Sequence, residues 1–137
     1  MRLCHLPLLF LPLLTGCIDD RTAYEAGNNQ GFTIIREQPY FWKKEVNLYL
    51  VVARMPDCMR RHSLGKVSPE SSVELWQYQP DTFIFKFDGG MVATETRTCE
   101  GLEKLDKDPQ GGKGTLLGTY EQGKDKFVFT PAKTSSR

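Results

Sequence analysis

Reactive side chains concentrate in Cys58-Met59-Arg60-Arg61-His62, and a further thiol stands at Cys99. Cys58, His62 and Cys99 are residue types that bind zinc, but a structural zinc site closes with four ligands and the set stops at three. No metal centre is expected. Arg60 and Arg61 carry planar guanidinium groups that hold carboxylates or phosphates through paired hydrogen bonds. With His62 they form a candidate binding turn for an anion or a partner; the plainer reading is a solvated basic face. Catalytic patterns are missing from the sequence: there is no Gly-x-Ser-x-Gly elbow and no His-Glu-x-x-His helix. Gly111-Gly112-Lys113-Gly114-Thr115 falls short of a phosphate loop, because glycine rather than Ser or Thr follows Lys113 and Lys107 stands where the first glycine belongs. No catalytic residue and no cofactor are expected and the chain does not read as an enzyme, with a metal- or anion-dependent enzyme left as the last alternative.

The remaining chemistry is a modification. Leu14-Thr15-Gly16-Cys17 closes an apolar run from Leu6 to Leu14 that follows Arg2, with no acidic residue before Asp19. Small residues directly before the cysteine mark a cleavable export leader. The run is too short for a bilayer span, which takes about 20 residues in a helix. These residues resemble the N-terminus of a bacterial lipoprotein precursor, whose Leu-Thr-Gly-Cys lipobox directs lipid onto the cysteine and cleavage just before it. The resemblance covers the first 17 residues. It implies cleavage between Gly16 and Cys17, a diacylglyceryl group on the Cys17 sulfur and an acyl chain on the freed amine. At about 0.8 kcal/mol per buried CH2, such chains hold a protein on its membrane permanently. It also implies a periplasm-facing place in the bacterial envelope, and Ile18 rather than Asp after Cys17 favours the outer membrane over the inner.

Removing the first 16 of 137 residues leaves 121, room for one domain with a modest core. Arg2 leaves with the leader, so 17 basic residues face 17 acidic ones, a balance that argues against a nucleic-acid partner. Cys4 also leaves and Cys17 takes the lipid. Cys58 and Cys99 then remain as a pair in an oxidising compartment, where two such thiols are expected to join.

Along the chain, residues 17–31 are rich in Asp, Arg, Asn, Gln and Gly and are expected to form a lipidated flexible tether spanning about 20 Å. Phe32 to Arg36 is a short strand. Tyr40-Phe41-Trp42-Lys43-Lys44 has two readings, a foot at a membrane interface or rings capping the core, and the scarcity of aromatic area in a small domain favours the cap. Val46 to Ala53, apolar on both faces, predicts a central strand covered on both sides and ended by Pro56. Residues 57–64 are expected to be a helical turn or irregular loop.

Val73 to Gln79 and Thr82 to Phe87 predict a strand pair with Trp76 opposite Phe85 and Tyr78 opposite Phe83. Asp88-Gly89 predicts a two-residue hairpin that sets Phe85 opposite Val92 and Phe83 opposite Thr94. Residues 99–114 read as a polar connection. A last hairpin, Thr115 to Tyr120 with Asp125 to Thr130, is expected to pair Gly118 with Phe127, and residues 131–137 form a loose tail.

The expected fold is all-β: a small antiparallel sandwich or partly closed barrel of six or seven strands over residues 32–130, with one disulfide. The expected function is a lipid-anchored envelope lipoprotein that binds or assembles with an envelope protein and does no catalysis. Its architecture also resembles that of lipidated bacterial lysozyme inhibitors, which implies a cell-wall hydrolase as partner, although their Ser-Gly-x-x-Tyr loop is absent.

Overall fold

A computed structural model describes residues 18–133, and every regular element among them is a β-strand. Four strands form one antiparallel sheet in the order β1-β2-β3-β4: β1 (Asp19–Gly27), β2 (Gln30–Glu37), β3 (Val46–Arg54) and β4 (Cys58–Val67). Six form a second sheet: β5 (Val73–Gln79), β6 (Thr82–Phe87), β7 (Gly90–Glu95), β8 (Leu102–Lys104), β9 (Thr115–Gln122) and β10 (Phe127–Pro131). Their order is β10-β9-β5-β6-β7-β8. The sheets stack as an open sandwich, not a barrel, and ten strands replace the six or seven expected.

Alternation along the strands explains the core. Phe32, Ile34, Leu48, Leu50 and Val52 point inward from one sheet, and Val73, Leu75, Phe83, Phe85 and Tyr120 meet them from the other. Phe32 is the strut between the sheets, its ring 4.4 Å from that of Phe83 and 5.4 Å from that of Phe85. The buried Tyr120 hydroxyl donates to the Phe32 carbonyl at 2.7 Å, a bond across the sandwich. Burial, with Tyr24 close by, raises the Tyr120 pKa and keeps that donor protonated.

One side of the sandwich is held by polar bonds. Thr22 Oγ1 on β1 donates to the Phe127 carbonyl on β10 at 2.9 Å. Buried Arg36 forks onto both Asp20 oxygens at 2.9 and 2.6 Å and donates to Pro69 O at 2.9 Å and Gln122 Oε1 at 3.1 Å. Its guanidinium lies 4.0 Å over the Phe127 ring.

The expected tether is not there. Residues 19–27 are β1, paired with β2 along its length apart from a bulge at Ala26, and the two-residue turn Asn28-Asn29 has positive φ at both positions, as a tight hairpin turn requires. An edge strand needs hydrogen bonds on one side and a half-buried face, and Thr22, Tyr24 and Ala26 suffice for that face. Residues 57–64, expected as a turn or loop, belong from Cys58 onward to strand β4, which runs to Val67. The expected polar connection contains the short strand β8.

Strand β3 ends before Pro56 as expected, but only its inner face is buried; Asn47, Tyr49, Val51 and Ala53 are half-exposed on the other. The aromatic segment does not cap the core, for Tyr40, Phe41 and Trp42 are 48, 65 and 64 % exposed.

The Asp88-Gly89 hairpin has the expected register, Phe85 opposite Val92 and Phe83 opposite Thr94. The β5–β6 register is one residue from the expected one. A bulge between Gln77 and Gln79 sets Trp76 opposite Ile84 and Leu75 opposite Phe85. Trp76 therefore stands on the outer face, beneath the Lys113 ammonium at 4.9 Å. In the last hairpin Gly118 pairs with Pro131 and Tyr120 with Phe129, four residues from the expected register. A ring still covers the bare glycine: Phe129 occupies the space a Gly118 Cβ would need.

Candidate functional site

The Cys58–Cys99 disulfide organises the second side of the sandwich. It joins the first residue of β4 to the loop after β7, with Cα atoms 5.9 Å apart. Both thiols are consumed, so of the three residues considered for zinc only His62 keeps its ligand atoms. Cys99 sits in the left-handed region at φ 63°, uncommon for a residue with a side chain, so something must hold its loop.

Glu95 does so. Its carboxylate accepts the backbone N–H groups of Arg97 at 2.7 Å, Thr98 at 2.9 Å and Gly101 at 3.1 Å, together with the Thr98 hydroxyl. Desolvation raises the Glu95 pKa, but the bonds from Thr98, Gly101 and Arg97 together outweigh it and hold the group at about 2. A carboxyl depressed in the folded state stabilises that state above its unfolded pKa and stops doing so as pH falls through the folded value. Glu95→Gln should therefore lower the thermal midpoint at pH 6, and the gap from wild type should close between pH 4.5 and 2. Equal midpoints at pH 6 would remove Glu95 from this role.

His62 completes the junction, with Nε2 2.7 Å from the Cys99 carbonyl oxygen. A carbonyl only accepts, so Nε2 carries the proton in this contact.

The structure does not gather Arg60, Arg61 and His62 into one grip, because an extended strand sends neighbours to opposite faces. Arg60 and His62, opposite Val52 and Leu50, turn toward the second sheet; Arg61, opposite Val51, lies on the outer face. Arg60 Nη1 is 3.6 Å from Glu100 Oε1 in an exposed pair. Arg61 stacks 4.0 Å over the Tyr49 ring and reaches Glu37 at 3.4 Å. Exposed pairs of this kind hold weakly and exchange readily for an outside carboxylate.

The strand that carries them has a free side. β4 pairs with β3 alone and is the last strand of its sheet. Its other edge overlooks a cleft of about 370 Å³ between the sheets, lined by Ser63, Leu64, Met91, Leu102 and Lys104 among others. Met59, 66 % exposed, lies opposite Ala53 on the outer face of the strand. Chemically this edge is an unpaired row of backbone donors and acceptors on a strand that carries two arginines and runs past a cleft of mixed polar and apolar lining, and an extended peptide can join it as a further strand.

Sequence reasoning found the arginines and the disulfide but, of its two readings of the aromatic loop 39–44, preferred the core cap to the surface one. Three consecutive aromatic residues between Pro39 and Lys43 cannot all face inward from a strand, and that was the available signal. The lipobox, residues 14–17, lies outside the described residues, as do residues 134–137 of the expected tail. No family model, curated protein or solved structure matches this chain.

Proposed function

We propose that this chain is a lipid-anchored envelope lipoprotein with a non-catalytic binding role, holding an envelope protein partner along the free edge of β4. The observation that carries this reading is the unpaired β4 edge, fixed at its start by the disulfide, bearing Met59 and Arg60 and running on past a cleft between the sheets. Other features support it. A small sandwich stapled by a disulfide suits the oxidising space outside the cytoplasm, where a leader ending at Gly16-Cys17 would send it. Glu95, an acid held far below its usual pKa, is occupied in bracing a loop rather than aimed into the cleft.

The test is a photo-crosslinking residue in place of Met59, activated in intact cells. The expected result is one discrete adduct with an envelope protein, weakened when Arg60→Glu reverses the charge beside it. The absence of any adduct, with Arg60 and Arg61 indifferent to substitution, would remove the β4 edge as the binding surface.

A further inference from the structure

Ile18 and the aromatic loop form one unit. Ile18 follows Cys17 directly in the chain, and β1 begins one residue later at Asp19. The Gln38 backbone N–H donates to the Ile18 carbonyl at 2.7 Å, and the Ile18 N–H donates to Gln38 Oε1 at 3.3 Å. The Gln38 side-chain amide donates in turn to the Lys43 carbonyl. One residue thus clamps the start of the folded chain to both ends of the loop 38–43.

Within the loop the Lys43 N–H closes a turn on the Tyr40 carbonyl at 3.1 Å, which presents the three rings as a group. Tyr40 and Trp42 stack at 4.8 Å and Phe41 meets Trp42 edge-on at 5.0 Å. All three remain largely exposed, and the Lys43 ammonium stands 5.7 Å over the Tyr40 ring. Ile18, the residue that follows Cys17 in the chain, is itself bonded to the start of this loop.

We propose that the loop 39–44 is a membrane-interface foot whose occupant is the surface of a phospholipid bilayer. The inference rests on the reading that Cys17 carries lipid. Acyl chains entering the bilayer at Cys17 bring Ile18 to headgroup depth, and no spacer separates Ile18 from the sandwich. The loop beside it then meets the same surface. Tyr and Trp settle at that depth because their rings are apolar and their polar atoms still reach water and headgroups.

Charge is secondary. Lys43 and Lys44 can reach lipid phosphates, but Asp19 and Glu45 stand at the same end, and Asp20 and Glu37 there are already paired with Arg36 and Arg61. The rings carry the contact and also set the orientation, with the turns Asn28-Asn29 and Pro56-Asp57 at the end of the first sheet away from the membrane.

The chain has two tryptophans, which makes the test direct. The protein purified from cells is first weighed to establish acylation at Cys17, then placed in zwitterionic vesicles whose phospholipid tails carry bromine. In a Trp76→Phe variant, Trp42 should lose most of its emission to the bromine; in a Trp42→Phe variant, Trp76 should keep its emission. Acylated protein whose Trp42 stays bright and open to aqueous quencher overturns the foot while leaving the anchor intact. Quenching of Trp42 that needs anionic lipid overturns the assignment to the rings. Protein without acyl chains on Cys17 removes the anchor reading, and the foot with it.

Discussion

Replacing Cys58 and Cys99 together by serine should cost the folded domain about 4 kcal/mol. The bond closes a loop with a sequence separation of 41, and removing it returns about 13 cal/mol/K of chain entropy to the unfolded state, about 4 kcal/mol at 25 °C. Domains of this size hold about 5 to 15 kcal/mol in total, so the loss consumes a large share. The effect falls on one side of the sandwich, because β4 has a single strand neighbour and the bond is its covalent link to the second sheet. Urea unfolding of the double variant checks this. Its midpoint should fall and its m-value rise, since the unlinked chain exposes more surface when unfolded. An unchanged midpoint would mean that the hydrogen bonds of Glu95 and His62 already fix the junction without the bond.

Arg36→Ala should destabilise the domain by about 2 to 4 kcal/mol. The side chain is 3 % exposed and ties four elements together: Asp20 on β1, the Pro69 carbonyl before β5, Gln122 at the end of β9 and the Phe127 ring on β10. Truncation leaves the Pro69 and Gln122 oxygens without this donor and strips one face of Phe127. Asp20 is 35 % exposed and can return to water, which keeps the loss below that of a fully buried ion pair. Arg36→Lys should recover little of it, because a single ammonium cannot fork onto both Asp20 oxygens while donating to Pro69. Denaturation midpoints of the two variants decide the point, and a lysine variant as stable as wild type would reduce the site to simple charge.

The middle of the chain was readable because its signals agree. From Thr82 to Thr94, alternating apolar residues flank Asp88-Gly89, and a two-residue turn leaves one register. The Cys58–Cys99 bond followed from counting the thiols left after a leader and a lipid site. The strands β1 and β4 were not readable for a shared reason. Both are edge strands, whose backbones are bonded on one side and whose faces tolerate polar residues, so Arg21 and Glu25 or Arg60 and Arg61 gave no strand signature. Register failed where a bulge adds a residue, as between Gln77 and Gln79, because nothing in composition marks the extra residue. The candidate site suffered likewise. Reading Arg60-Arg61-His62 as a turn gathered side chains that a strand sends to opposite faces, while the Tyr40-Phe41-Trp42 rings, placed in the core by their chemistry alone, lie on the surface.

The same misreading of β1 changes how the protein would stand on its membrane. With lipid on Cys17 as proposed, a tether would let the domain hover at a distance from the bilayer, whereas a strand that begins at Asp19 would hold the sandwich against it. The β4 edge runs from Cys58, at the end far from Ile18, to Val67 at the near end, so a partner that joins it would lie roughly along the direction from the periplasm to the lipid.

The account depends most on the covalent state of Cys17, and the intact mass of the protein isolated from its own cells measures it. The account predicts a chain that begins at Cys17, carries a diacylglyceryl group and a further acyl chain, and weighs two hydrogens less than its reduced form because Cys58 and Cys99 are joined. A chain that keeps residues 1–16, carries no acyl group and gives up both later thiols to alkylation would contradict it.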